Sequence, residues 1–343
     1  MAAALQSSHK TLYFPNGSYR ITKSIQIKVP SVDLVIQGES VDGVVLVSDP
    51  IITSNNCFGA MINIDRAGGF KSLFLKIERM TLDFSANHEH PIFLEAGCSG
   101  SGHGVRVGNG WDTGSLHLNE LKILKAPGYG IGIQNSGTGD KDADNVLLTK
   151  IRVEDAGMDG LDTKQSPSGG NSHLTIIDMT IKEIGFNDEL SAAALDISYD
   201  DFHLERITIV TDAFRENPKG TAQNTGIRIR ERIGTPASDG TIQDLYTKGC
   251  LHPVFFAGKN PHRNENVTLT NFIIKNFNGT GLYIRGEDHT FRDGCVYGGK
   301  GPNARNWYIN GANSDPSTIE IANVFTKGSD TRCPSHSAVG SDF

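Results

Sequence analysis

The sequence predicts an all-β fold: a single-stranded, right-handed parallel β-helix, with the chain wound as a solenoid. Three observations predict it. A short strand pattern recurs eight times, a second pattern with its own spacing lies between the copies, and hairpin signals between strands are few.

The recurring strands are GVRVGN (104–109), GIGIQN (130–135), GLDTKQ (160–165), ALDISY (194–199), GIRIRE (226–231), VFFAGK (254–259), GLYIRG (281–286) and NWYING (306–311). Their starts lie 26, 30, 34, 32, 28, 27 and 25 residues apart. The second unit has apolar residues at its positions 1, 3, 6 and 8. It is seen in VLLTKIRV (146–153), LTIIDMTI (174–181), FHLERITI (202–209) and VTLTNFII (267–274), and with a weaker start in SLHLNELKI (115–123). Each reads as two short strands meeting at a bend, because the alternation of period two breaks and then resumes. No stretch offers a sustained helical period.

Composition sets the outer limits. The chain has 343 residues, 39 glycines and 37% hydrophobic residues, enough for a sizeable core. No apolar run approaches the roughly 18 residues of a membrane-spanning helix, so membrane insertion is not expected. The start, MAAALQSSHK, lacks the basic region and long apolar core of a secretory signal. That leaves an intracellular chain, or one without its upstream leader or domain. A net charge of −7 argues against general affinity for nucleic acid, so a cationic site must be a local concentration. Cys57, Cys98, Cys250, Cys295 and Cys333 show no metal spacing, and an odd number cannot pair completely within one chain. They read as buried thiols.

The segment KTLYFPNGSYRITKSIQI (10–27) resembles the opening of the catalytic domain in the pectate-lyase superfamily of right-handed β-helices. By that resemblance residues 1–343 form one domain, with an N-terminal opening and cap remnant over 1–30, coils over 31–328 and a C-terminal tail over 329–343. The remnant is MAAALQSS, and the Gly/Asp-rich motif of the family is absent. The resemblance implies a polysaccharide-active enzyme or a tailspike-like protein, a monomer or homotrimer, outside the cell or on a virion surface.

Stacking the coils places equivalent residues about 4.8 Å apart. The second column reads Val105, Ile131, Leu161, Leu195, Ile227, Phe255, Leu282 and Trp307, and the fourth reads Val107, Ile133, Thr163, Ile197, Ile229, Ala257, Ile284 and Ile309. Both are apolar almost throughout and are expected to face the core. The outward third column reads Arg106, Gly132, Asp162, Asp196, Arg228, Phe256, Tyr283 and Tyr308. The fifth contains Gln134, Lys164, Ser198, Arg230, Gly258 and Arg285.

Asp162 therefore stacks on Asp196, beside Lys164, Arg228 and Arg230. Two carboxylates about 5 Å apart repel by roughly 3 kcal/mol at an effective dielectric near 20. Uncompensated, that repulsion would raise one pKa by about two units. These five residues are the expected catalytic set, with Tyr283, Arg285, Tyr308, Gln134 and Tyr199 as substrate contacts. Trp307 falls in the inward column and is expected in the core.

Two reactions fit. β-Elimination on a uronic-acid-containing polysaccharide needs a cation to neutralise the substrate carboxylate and a base, often Arg or Lys in this superfamily. Hydrolysis needs a carboxylate pair, here Asp162 and Asp196. Elimination is favoured because three cations converge on two carboxylates. Ca²⁺ is an optional cofactor, since it wants roughly six to eight oxygens and the columns supply two. No metal ligand set is assigned.

A non-catalytic glycan-binding coil would use the same aromatics and cations, and no alginate-epimerase DPH motif is found. GHG (102–104) matches a polygalacturonase motif out of order and without its NTDG partner, and reads as coincidence. His88 and His90 read as solvated, while His252 and His262 are loop candidates for substrate contact. SPSGGNSH (166–173) and DAFRENPKGTAQNT (212–225) are expected to line a groove beside the charged strands.

Overall fold

A computed structural model describes residues 9–29, 33–49, 59–66, 74–87, 101–108, 115–134, 145–164, 172–187, 191–217, 220–230, 237–257 and 264–326. Two parallel sheets, of 13 and 10 strands, hold most of them. The shorter sheet runs in chain order through His103–Val107, Ile131–Gln134, Leu161–Lys164, Ala193–Ile197, Thr225–Ile229, His252–Phe256, Thr280–Gly286 and Arg305–Ser314. All eight predicted strands are there, one per coil, and the fold is a right-handed parallel β-helix.

Coils begin earlier than residue 31. Ile25–Val29 pairs with Ala60–Arg66, and His9–Phe14 pairs with Asp33–Gly38. The opening segment is itself a coil, because Leu12, Phe14, Tyr19 and Ile21 alternate inward and pack on the core.

The second unit forms long strands, among them Ser115–Leu124, Val146–Glu154, Ser172–Lys182, Asp200–Val210 and Glu265–Lys275. Each bends near its middle at a residue in the left-handed region: Glu120 (φ 51°), Lys150 (52°), Asp178 (60°), Arg206 (53°) and Asn271 (53°). That conformation disfavours β-branched side chains, and none stands there. Register brings these residues together, so Lys150 meets Glu120 at 2.9 Å and Arg206 meets both carboxylate oxygens of Asp178 at 2.5 and 3.1 Å. The pairs are partly exposed and each contributes well under about 1 kcal/mol.

The core is the stack of inward columns. Val105, Ile131, Leu161, Leu195 and Ile227 are fully buried, as are Val107, Ile133, Ile197 and Ile229. Burying a side chain of this size stabilises by about 1.5–3 kcal/mol. The glycine that opens five of the eight strands (Gly104, Gly130, Gly160, Gly226 and Gly281) has a steric cause. A Cβ on Gly160 would lie 2.7 Å from the carbonyl oxygen of Ala194 on the next coil.

The register differs from expectation at 254–259. Ile227 pairs with Val254, Arg228 with Phe255 and Ile229 with Phe256. Phe256, not Phe255, is inward and fully buried, against His289 and Phe291. Three consecutive apolar residues gave no alternation to fix that rung. Trp307 also departs from its expected burial: it pairs with Leu282 in the inward column but keeps 37% exposure, on the last described rung of its sheet.

Segment 212–225 holds an antiparallel hairpin, Phe214–Asn217 with Gly220–Gln223. Its Arg215 pairs with the Asp155 carboxylate and lies 5.3 Å from the Phe186 ring centre, which fastens the hairpin to earlier coils.

Three histidines serve the turns. The Nδ1 atoms of His103, His252 and His289 accept backbone N–H groups from Tyr129 (2.9 Å), Thr280 (3.1 Å) and Val267 (3.2 Å). His252 and the GHG histidine are thus coil clamps. His88, His90 and His262 lie outside the described residues. Burial pushes the His289 pKa down to about 4, against smaller upward pulls from the Arg285 carbonyl and Asp288.

A folded pKa below the unfolded value means stability that is full above roughly pH 6.5 and lost as pH falls toward 4. The native chain should lose up to about 3 kcal/mol more than His289→Gln between pH 7 and 4. Urea melts of both proteins at each pH measure this. Parallel losses in the two would remove His289 as the cause.

Cys250 is a buried thiol, its pKa pushed up to about 12 by burial. Cys295 corrects the buried-thiol expectation, because it is disulfide-bonded.

Candidate active site

The short sheet builds the site. Asp162 pairs with Asp196, Asp196 with Arg228, Arg228 with Phe255, Phe255 with Tyr283, and Tyr283 with Tyr308. Gln134 pairs with Lys164 on the preceding rungs; the side chains of those two lie outside the description. The expected stack of carboxylates and cations is therefore one continuous column.

The carboxylates are not solvated strand charges. Asp162 and Asp196 are fully buried although they sit in an outward column. Arg228 Nη2 donates to Asp196 Oδ2 at 2.7 Å, and Arg230 Nη2 donates to the same oxygen. The side chains of Arg228 and Arg230 keep only 11% and 28% exposure.

A third carboxylate completes the cluster. Asp159 comes from the tight turn GMDG before the Leu161–Lys164 strand, and its Oδ1 accepts the Ala193 N–H at 2.6 Å. Carboxylate oxygens of Asp159, Asp162 and Asp196 all lie within 4.8 Å of one another. Asp159 escaped the column reading because it belongs to no column. The only sequence signal was the Asp-x-x-Asp spacing across Gly160.

Burial pushes the Asp159 pKa well above the ordinary carboxylate range. Asp196 and Asp162 add to that, and Arg228 together with the Ala193 N–H pulls against it. For Arg228, burial works against the charge, but Asp196 and Asp159 outweigh it and hold the guanidinium above its usual pKa. Among the described side chains, three carboxylates meet two guanidiniums.

The fit to Ca²⁺ is poor. Arg228 Nη2 is 2.7 Å from Asp196 Oδ2 and 3.7 Å from Asp159 Oδ2, so a guanidinium already occupies the cation position between them.

Beyond Arg228 the column turns aromatic. Phe255 and Tyr283 have ring centres 4.9 Å apart, and Tyr283 and Tyr308 5.3 Å apart. Arg285 lies 5.1 Å from the Tyr283 ring centre and donates to its hydroxyl at 3.1 Å. Tyr199 is corrected as a substrate contact. Odd numbering from Leu195 points it inward, and it is fully buried in the core.

No protein-family model matches the chain, and no curated protein matches it in sequence. Solved structures do match. The A-module of mannuronan C-5 epimerase AlgE4 from Azotobacter vinelandii superimposes with a TM-score of 0.51 at 13% identity, over 94% of this chain and 70% of that one. The catalytic unit of a GH87 alpha-1,3-glucanase from Streptomyces thermodiastaticus gives 0.47 at 14% identity, over 95% of this chain. Endopolygalacturonase I from Stereum purpureum gives 0.48 at 12%, over 95% of this chain and 93% of that one. The chain spans 64% of the glucanase unit's length. These neighbours are carbohydrate-active enzymes of different reaction types, and at such identities the likeness concerns the fold alone. In fold, the chain is a right-handed parallel β-helix.

Proposed function

We propose that the chain is a carbohydrate-active enzyme that hydrolyses glycosidic bonds in an acidic polysaccharide. The observation that supports hydrolysis over elimination is Asp159. Glycoside hydrolysis needs one carboxyl that is protonated at working pH and a second that is ionised. Burial and the neighbouring carboxylates raise the Asp159 pKa, which suits it to the role of the protonated member, and its side chain keeps 7% exposure. It gives its proton to the leaving oxygen. Asp162, buried beside Asp159, is the proposed base or nucleophile, and Asp196 holds Arg228 and Arg230 in place.

Elimination would require the arginines to meet the substrate carboxylate, and both already donate to Asp196. The acidic substrate is supported by the positive groups along the same face, Arg106 before the cluster and Arg285 beyond it. Tyr283, Tyr308 and Arg285 are the proposed substrate contacts on the far side. The Cys295 disulfide supports an extracellular location, because such bonds persist in oxidising compartments.

A panel of uronic-acid polymers, incubated with the protein with and without chelator, tests this. New reducing ends without an ultraviolet-absorbing unsaturated product are expected, at a rate that chelator leaves unchanged. An unsaturated product would overturn hydrolysis in favour of elimination. Binding without any product would make the coil a glycan-binding module.

A further inference from the structure

Thr163 is the one polar side chain in the otherwise apolar inward column from Val107 to Ile229, and it is fully buried. Its Oγ1 donates to the Asp196 carbonyl at 2.8 Å and accepts the Ser198 N–H at 2.8 Å. Both partners lie on the neighbouring rung, on either side of Ile197. The backbone ladder between these two rungs stops at Asp162 and Asp196. The ladder on one side continues to Gln134 and Lys164, and on the other to Ile197 and Ile229. Backbone pairing between the two strands ends at the carboxylates, and one hydroxyl links the rungs beyond them.

We propose that Thr163 is a positioning residue that sets the separation of Asp162 and Asp196. Strand pairing fixes the two backbones at one end, and the hydroxyl fixes them at the other. Asp196 carries the two guanidiniums, so the clamp also decides where Arg228 stands relative to Asp159. The inference rests on the hydrolase reading for its effect on rate, but not for its effect on the carboxylates.

Thr163→Val keeps the volume and removes both hydrogen bonds. Thr163→Ser keeps the hydroxyl. In Thr163→Val, kcat on the polymer should fall about a hundredfold, with KM changed by less than about twofold. The pH profile should move, and Thr163→Ser should restore most of both. Carboxyl ¹³C titration of Asp-labelled protein reads the cluster without substrate. It should change in Thr163→Val and remain native in Thr163→Ser.

An unchanged titration in folded Thr163→Val overturns the proposal, whatever the activity. If the native protein cleaves no polymer, the hydrolase reading fails while the titration still judges the clamp. Should Thr163→Val not fold, amide exchange in the native protein decides. Ser198 N–H should be protected as strongly as the Leu195 and Ile227 amides, and exchange at the rate of an unbonded amide would overturn the clamp.

Discussion

Replacing Asp159 with Asn is expected to lower kcat on the polymer by about 10²- to 10⁴-fold, the contribution of a positioned general acid. The fold should survive. A protonated carboxyl and an amide have nearly the same shape, and the Asn oxygen can still accept the Ala193 N–H. Two features separate loss of acid catalysis from general damage. An aryl glycoside with a good leaving group needs little proton donation, so its cleavage should fall far less than that of the polymer. The native rate should also decline as pH rises through the elevated Asp159 pKa, and that limb should vanish in Asp159→Asn. Stability carries the same sign. A folded pKa above the unfolded one gives stabilisation that is complete below the unfolded value and lost as pH rises through the folded one. Equal losses on polymer and aryl glycoside would remove Asp159 from the role of acid.

Asp196→Ala should be the most destabilising change in the site. It leaves Arg228 and Arg230 without their shared carboxylate, and Arg228 is nearly buried. Breaking a buried pair from one side costs about 3–5 kcal/mol, because a charge remains without compensation. Adding Arg228→Met should recover part of that, since both members of the pair are then gone. Denaturant melts of the single and double variants measure the difference, and activity should be absent in both. A single variant as stable as the native protein would show that the ion pairs are solvated, contrary to the burial found here.

The sequence by itself determined the winding and most of the stacking. Alternation in strands such as GIRIRE and GLYIRG leaves one orientation that keeps charges out of the core, so Asp162, Asp196 and Arg228 could be aligned from the pattern. The bends of the long strands were also legible, as breaks in alternation; their left-handed conformation was not, because Glu, Lys, Arg, Asp and Asn are all ordinary surface residues.

Where alternation was missing, the sequence lost its hold. VFFAGK offered three apolar residues in a row, and only pairing with Ile227 and Leu282 fixed Phe256 inward. Tyr199 follows the inward parity of Leu195 and Ile197, which its expectation as a substrate contact ignored. Tertiary structure alone decided which groups meet in the cluster. Asp159 stands outside every column, and only the turn at Gly160 carries it beside Asp162 and Asp196. A charge on an outward strand position reads as solvated until its surroundings are known. Here two guanidiniums and a third carboxyl surround it, and burial, which no pattern of period two encodes, sets it apart from a solvated charge.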